Sequence, residues 1–336
     1  MINIVRNLPE EPWRHFVDTH PQGNIFHTPE MFQVFCAAKG HQPELWAATK
    51  NGRILALLLP VQVTLKDGAL RLVTTRSVVY GGVLHVADAE GREALLRLLR
   101  SYVQETGRKS LFTELRNISD LSAIQPLLQT CGFVYEDHLN YLINLDCSPE
   151  EVLNNIGGGT RKKIRRGLRR GTVEVEVVEE REGVAVCYDL LGQTYSLAQV
   201  PLADCSLFEA AFDILSPENM VRFTVARVGH VIVAVSVELV YKNVVYGWYG
   251  GLNRDYSSYL PNELLMWHIL EWGAKNDYQI YDFGGAGRPD EEYGVRDFKA
   301  KFGGRLVCYG RNTFAPSSTW LQISKLGYAL YRKLFI

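Results

Sequence analysis

The sequence predicts a mixed α/β protein in which one architecture occurs twice. Three observations predict it. Apolar hairpins recur at residues 44–64 and 222–241. Each is followed by a short strand that carries a Gly-Gly pair, and each of those strands leads into an amphipathic helix and a further strand. At roughly 150 residues per domain, 336 residues supply two domains. A chain that is 47% hydrophobic and 22% charged can build full cores without disulfide or metal staples.

The first hairpin turns at Asn51-Gly52, a pair that supplies the positive φ angles of a tight turn. Residues 77–85, with Gly81-Gly82, form the next strand. The spacing of apolar residues at 95, 98, 99 and 103 predicts a helix over 90–106. A strand over 110–115 follows. In the second half the hairpin turns at Gly229-His230, and residues 244–253 form the strand with Gly250-Gly251. The helix over 261–276 opens on Pro261 and carries apolar residues at 264, 265, 269 and 272. The strand over 278–283 closes the repeat. Strand–helix–strand crossovers pair strands in parallel and hairpins pair them antiparallel, so both halves should be mixed sheets.

The domain boundary is expected near residues 146–149, giving domains 1–146 and 147–316. Ser148, Pro149 and Glu151 read as a capping box that opens a helix. That helix runs into Gly157-Gly158-Gly159 and then a basic run, in which seven of the ten residues from 161 to 170 are Lys or Arg. On a helix, Arg161, Arg165 and Arg169 share one face, and Ile164 and Leu168 share another suited to packing. A solvated charged face is the plain alternative. The run contains no acid, however, and its repulsion is relieved by a phosphate-bearing ligand. A strand over 172–178 alternates Val and Glu.

The net charge is −1, with 14 basic and 16 acidic residues in 1–150 and 22 and 21 in the rest. Neither half is polybasic, which argues against wrapping of nucleic acid by a whole domain and against DNA as a partner. The six cysteines stand more than ten residues apart, so no zinc or redox CxxC motif exists, and reduced, mostly buried thiols are expected. The N-terminus shows no signal-peptide pattern, and no run of about 18 apolar residues spans a membrane, so a cytoplasmic protein is the default. Phosphate-loop, HExxH and GxSxG motifs are missing, and His27, His41, His85, His138, His230 and His268 are scattered. No cofactor or metal is expected.

Two further segments stand out. Residues 281–287, Tyr-Asp-Phe-Gly-Gly-Ala-Gly, put Asp282 near the end of an apolar strand, with Gly284 and Gly285 after it. Ligands bind at the ends of parallel strands, although Asp282 can equally cap a turn. In residues 294–304 Phe298 and Phe302 stand four apart and should anchor a helix, leaving Lys299 free to point elsewhere.

Taken together these motifs resemble the FemABX family of aminoacyltransferases. The resemblance runs along most of the chain and is most specific over 249–304: Tyr-Gly-Gly from Tyr249, a Leu-Pro-Asn-coupled helix, Tyr-Asp-Phe-Gly-Gly, and Gly-Val-x-x-Phe-Lys-x-x-Phe-Gly. The basic segment fits as well. The resemblance implies two tandem GNAT-like domains. It implies transfer of an amino acid from aminoacyl-tRNA to an amine of a peptidoglycan precursor or related cell-envelope acceptor. Acyl-CoA-dependent transfer in exopolysaccharide synthesis and a non-catalytic GNAT-fold binding module are the alternatives. The glycine-containing turn of CoA users is replaced by residues 254–261, Arg-Asp-Tyr-Ser-Ser-Tyr-Leu-Pro, which lowers the case for CoA. The helix after Thr28 has no Lys before Lys39, and the region after Tyr195 lacks the family's Arg.

By the same resemblance Lys299, in the Phe298-Lys299 pair, stabilises the oxyanion or holds the terminal tRNA phosphate. Asp282 orients or deprotonates the amine. Tyr249, Gly284 and Gly285 contact substrate, and Arg161, Lys162, Arg165 and Arg169 meet the donor phosphates. Residues 317–336 are expected to form an amphipathic helix, whose aromatic and basic residues suit peripheral contact with the inner face of the plasma membrane.

Overall fold

The computed structural model describes residues 1–64, 75–106 and 110–316. The expected C-terminal amphipathic helix lies outside these residues. The chain divides into two compact units, one of Met1–Asp137 with the segment from Tyr309, the other of His138–Cys308.

The first unit opens with β1 (Asn3–Val5), α1 (Glu10–Thr19) and α2 (Pro29–Ala37). The Thr28 side chain caps α2 by accepting from Met31 N–H, and Pro29 stands at the first helical position. β2 (His41–Pro43), β3 (Trp46–Lys50), β4 (Arg53–Leu58), β5 (Pro60–Thr64), β6 (Thr75–Tyr80) and β7 (Leu84–His85) follow. The Asn51-Gly52 hairpin forms as expected, joining β3 to β4. Instead of one mixed sheet, this half makes two: the chain breaks at Leu59, with β4 in a four-stranded sheet and β5 in a six-stranded one. Gly81-Gly82, both at positive φ, end β6 rather than lying within it.

α3 (Ala89–Thr106) crosses to β8 (Thr113–Arg116), which pairs in parallel with β6. Its apolar stripe, Leu95, Leu98, Leu99 and Tyr102, packs with Trp46, Leu55, Leu58 and Phe133 in the core. α4 (Gln125–Thr130) and β9 (Val134–Glu136) complete this part.

The second unit contains β10 (Leu139–Asn144), α5 (Pro149–Asn155), α6 (Gly158–Arg170), β11 (Glu174–Val177), α7 (Glu182–Leu197) and α8 (Cys205–Leu215). Then come β12 (Val221–Val228), β13 (Val231–Tyr241), β14 (Val244–Leu252), α9 (Pro261–Lys275), β15 (Ile280–Gly285), α10 (Gly294–Ala300) and β16 (Arg305–Cys308). The capping box at Ser148 and Glu151 is present. One seven-stranded sheet runs β11-β12-β13-β14-β15-β10-β16. Every neighbouring pair in it is antiparallel except β14 and β15, which the α9 crossover makes parallel. α9 covers one face with Leu264, Leu265, Ile269 and Leu270, against Ala226, Ala234, Val245 and Tyr281.

β17 (Arg311–Phe314) returns to the first unit and pairs with β8 and β9. The units therefore divide at 137/138 and 308/309 rather than at 146/147. The physical reason is strand pairing: β10 belongs to the second sheet through β15 and β16. All six cysteines are free, but only Cys131 and Cys187 are buried, fewer than expected. Among the described residues no helix is long and apolar enough to cross a membrane.

Candidate active site

The site is built where β14 and β15 part. They pair over three positions only, Val244 with Ile280, Val245 with Tyr281 and Tyr246 with Asp282. Beyond that point β14 follows β13 out to Leu252, while β15 follows β10 out to Gly285. A bulge between Val237 and Glu238, opposite Trp248, turns β14 further away. The result is a fork at the C-terminal ends of two parallel strands, the edge of a sheet where ligands bind. From Gly247 to Gly251 the β14 backbone has no strand partner on the β15 side, and at Leu252 the N–H donates instead to the Thr194 hydroxyl of α7 at 2.9 Å.

Lys299 and Asp282 sit at this fork. α10 carries Lys299, which is only 8% exposed. Its ammonium donates to Phe283 O at 2.5 Å and to Gly285 O at 2.7 Å. An ammonium has three N–H groups, and the third has no partner among the described residues. Burial pushes the Lys299 pKa down to about 8, with Asp282 opposing the shift. Lys299, expected to be left free by the two phenylalanine anchors, instead ties α10 to the end of β15. Phe298 is half-buried and packs on Phe302, itself against Phe283, so it anchors the helix as expected.

Asp282 is buried, and burial raises its pKa to about 6 against the hydrogen bonds and the Lys299 charge. One carboxylate oxygen accepts from Gly284 N–H at 2.7 Å and from the Asn140 amide at 3.4 Å. Gly284 stands at φ 68°, a left-handed conformation that glycine adopts without strain. Asp282 therefore caps the strand-to-loop turn and supplies the counter-charge to Lys299, with Gly284 and Gly285 in the same turn.

Tyr249 lies beyond the fork in an aromatic group. Its ring centroid is 4.7 Å from that of Phe208, 5.0 Å from Trp248 and 5.7 Å from Tyr195. Burial pushes the Tyr195 hydroxyl up to about 12. Tyr249 is thus on the β14 wall, among aromatic residues of α7 and α8.

The basic run is a helix, α6, that lies along the start of α9. Gly167 permits this approach: a Cβ there would come within 2.8 Å of the Leu264 side chain. Lys163 pairs with Glu263 at 3.4 Å. Arg161 is turned back onto Asn154 O at 2.6 Å, while Lys162, Arg165 and Arg169 are exposed. Leu168, expected to pack, is 55% exposed, because Ile164 and Gly167 form the inward stripe instead. The start of α9 is poorly suited to a pyrophosphate. Pro261 has no N–H at the first position, and the Glu263 carboxylate stands at the third.

Glu238 was missed by sequence reasoning. It is fully buried on β13, opposite Gly247 at the fork, and its Oε2 has no hydrogen-bond partner. Burial raises its pKa to about 8, against a hydrogen bond from Ser236 and the charge of Arg222. The signal was available: it is the only charged residue in the apolar strand 231–241.

Residues 158–299 match the family described as acetyltransferase (GNAT) domain. No curated protein matches the chain by sequence. Among solved structures the chain is similar to FemX, with TM-score 0.71, 17% identity and 99% of each chain covered. It is also similar to L-PGS from Bacillus licheniformis, with TM-score 0.59, 14% identity, and 96% of this chain and 97% of that one covered. A tandem GNAT protein from the clavulanic acid biosynthesis pathway gives TM-score 0.58, 11% identity, and coverage of 94% and 99%. The chain thus has the mixed α/β fold of FemX along its length, and within its second unit residues 158–299 match the acetyltransferase (GNAT) domain.

Proposed function

We propose that this GNAT-fold acyltransferase moves an aminoacyl group from aminoacyl-tRNA to an amine of a peptidoglycan precursor or related cell-envelope acceptor, at the cytoplasmic side of the membrane. The observation that carries the reading is a buried ammonium at the strand fork, combined with an exposed basic helix beside an α9 start that offers no pyrophosphate cradle. The donor ester would enter the fork along the free edge of β14. The neutral acceptor nitrogen attacks the ester carbonyl, whose oxygen becomes an oxyanion. The third N–H of Lys299 is the donor for that charge, an interaction worth about 3–4 kcal/mol when preorganised. Collapse breaks the carbon–oxygen bond to the tRNA 3′ end, and the proton lost by nitrogen neutralises the leaving oxygen. Asp282 holds Lys299 charged and its turn in place. Lys162, Arg165 and Arg169 would meet the donor phosphates.

The GNAT domain match favours a second reading, acyl transfer from acyl-CoA. A donor screen decides: charged tRNA or acetyl-CoA, with acceptor amines in excess. Transfer from tRNA alone supports the proposal, and transfer from acetyl-CoA alone overturns it.

A further inference from the structure

The six-stranded sheet of the first unit carries a second charged cluster, remote in sequence from the fork. Ser77 and Thr113 hydrogen-bond the Tyr102 hydroxyl of α3. The residues alternating with them, Arg76 on β6 and Glu114 and Arg116 on β8, therefore face the other way. Arg311 joins them from β17, opposite Arg116 in the ladder. Arg116 Nε donates to Glu114 at 2.6 Å, and Arg311 reaches both Glu114 oxygens at 3.3 Å. The Tyr80 ring lies 5.5 Å from the Arg116 guanidinium. Burial alone would raise the Glu114 carboxyl, but Arg116, Arg311 and Arg76 hold it below its ordinary value.

Arg76 is the exception in this network. Its Nε is buried and has no hydrogen-bond partner. Glu114 is already shared by two guanidiniums, and Glu136, the ladder partner of Arg311, is exposed. Three guanidiniums gathered around one half-buried carboxylate repel one another, and in a partly dehydrated site that repulsion is poorly screened. A purely structural ion-pair network would satisfy Arg76 as well.

We propose that this face binds a phosphate group, with Arg76 as the uncommitted donor. Glu114 is the internal anion that keeps Arg116 and Arg311 aligned. Planar forked donors suit phosphate oxygens, and three of them on adjacent strands can surround one group. The assignment does not rest on the transfer reaction. The phosphate is either free or esterified to a larger molecule.

Calorimetric titration of the full chain with inorganic pyrophosphate, orthophosphate and glycerol phosphate tests the site. The chain carries Lys162→Gln, Arg165→Gln and Arg169→Gln, so that the α6 residues assigned to the donor phosphates do not contribute. Saturable binding is expected, weakened about tenfold by Arg76→Gln. Glu114→Gln should tighten it, because the amide oxygen still accepts from Arg116 and Arg311 while the competing charge is removed. Arg97→Gln, which alters only an exposed pair with Glu93 on α3, should leave it unchanged. Preference for glycerol phosphate over orthophosphate assigns the site to an esterified ligand, and the reverse assigns it to free phosphate. Binding that is absent, or identical in wild type and Arg76→Gln, overturns the proposal. Circular dichroism identifies a Glu114→Gln chain that has failed to fold. Arg76→Gln then decides alone, since Arg76 Nε makes no hydrogen bond whose loss would unfold the sheet.

Discussion

Lys299 joins structure and chemistry in one side chain. Truncation to Ala strands two buried carbonyls, of Phe283 and Gly285, so Lys299→Ala should destabilise the second unit by about 1–3 kcal/mol as well as abolish transfer. Chemical denaturation and a turnover assay measure the two effects separately. Because the Lys299 pKa is near 8, the ammonium is lost as the pH rises through that value. The kcat/KM profile should therefore fall above about pH 8, and Lys299→Arg should move any remaining fall upward, since a guanidinium stays charged. A profile that stays level to pH 10 would remove Lys299 from the mechanism. Glu238 gives a stability prediction of its own. Its folded pKa of about 8 exceeds the ordinary 4.5, so the folded protein holds a proton that the unfolded chain has released. The resulting stabilisation is full below about pH 4.5 and is lost as the pH rises to about 8. Asp282 acts in the same direction between 3.8 and about 6. Urea unfolding at pH 5 and pH 8 should show a loss of a few kcal/mol in wild type and a smaller one in Glu238→Gln.

At the scale of elements, the contact between α6 and α9 places the basic helix beside the start of α9. Gly167→Ala drives a methyl group into Leu264, and overpacking of this kind costs about 1–3 kcal/mol. Pairing it with Leu264→Ala should recover part of the loss, which thermal denaturation of the single and double variants would show. Replacing Lys162, Arg165 and Arg169 by Gln should leave stability nearly unchanged, because all three are exposed. It should reduce the salt dependence of tRNA binding by about 0.7 in log–log slope for each lost phosphate contact. An unchanged slope would make α6 a solvated face.

The whole molecule is organised by strand exchange between distant parts of the chain. The second unit is continuous from His138 to Cys308, whereas the first needs β17 between β8 and β9. A chain truncated after Cys308 should therefore keep hydrogen-exchange protection in β12 to β15 and lose it in β8 and β9. Protection lost equally in both sheets would mean that the units do not fold independently.

Local chemistry made much of this legible from the sequence. The hairpins at Asn51-Gly52 and Gly229-His230, the two crossover helices and the capping box at Ser148 follow from turn residues, periodicity and caps that act within a few residues. The resemblance around residues 249–304 likewise pointed to Lys299 and Asp282 before their surroundings were known. Tertiary structure decided the rest. Burial of Lys299, the unpartnered Glu238 oxygen and the convergence of Arg76, Arg116 and Arg311 on Glu114 depend on groups brought together from distant strands and helices. Leu168 and Ile164 read alike as packing residues, and only the seat of α6 on α9 turned one outward and the other in. The sequence determined which segments become strands and helices, because those choices are made by neighbours along the chain. Where β14 leaves β15, and which side chains lose water there, was decided by packing between elements that no local pattern records.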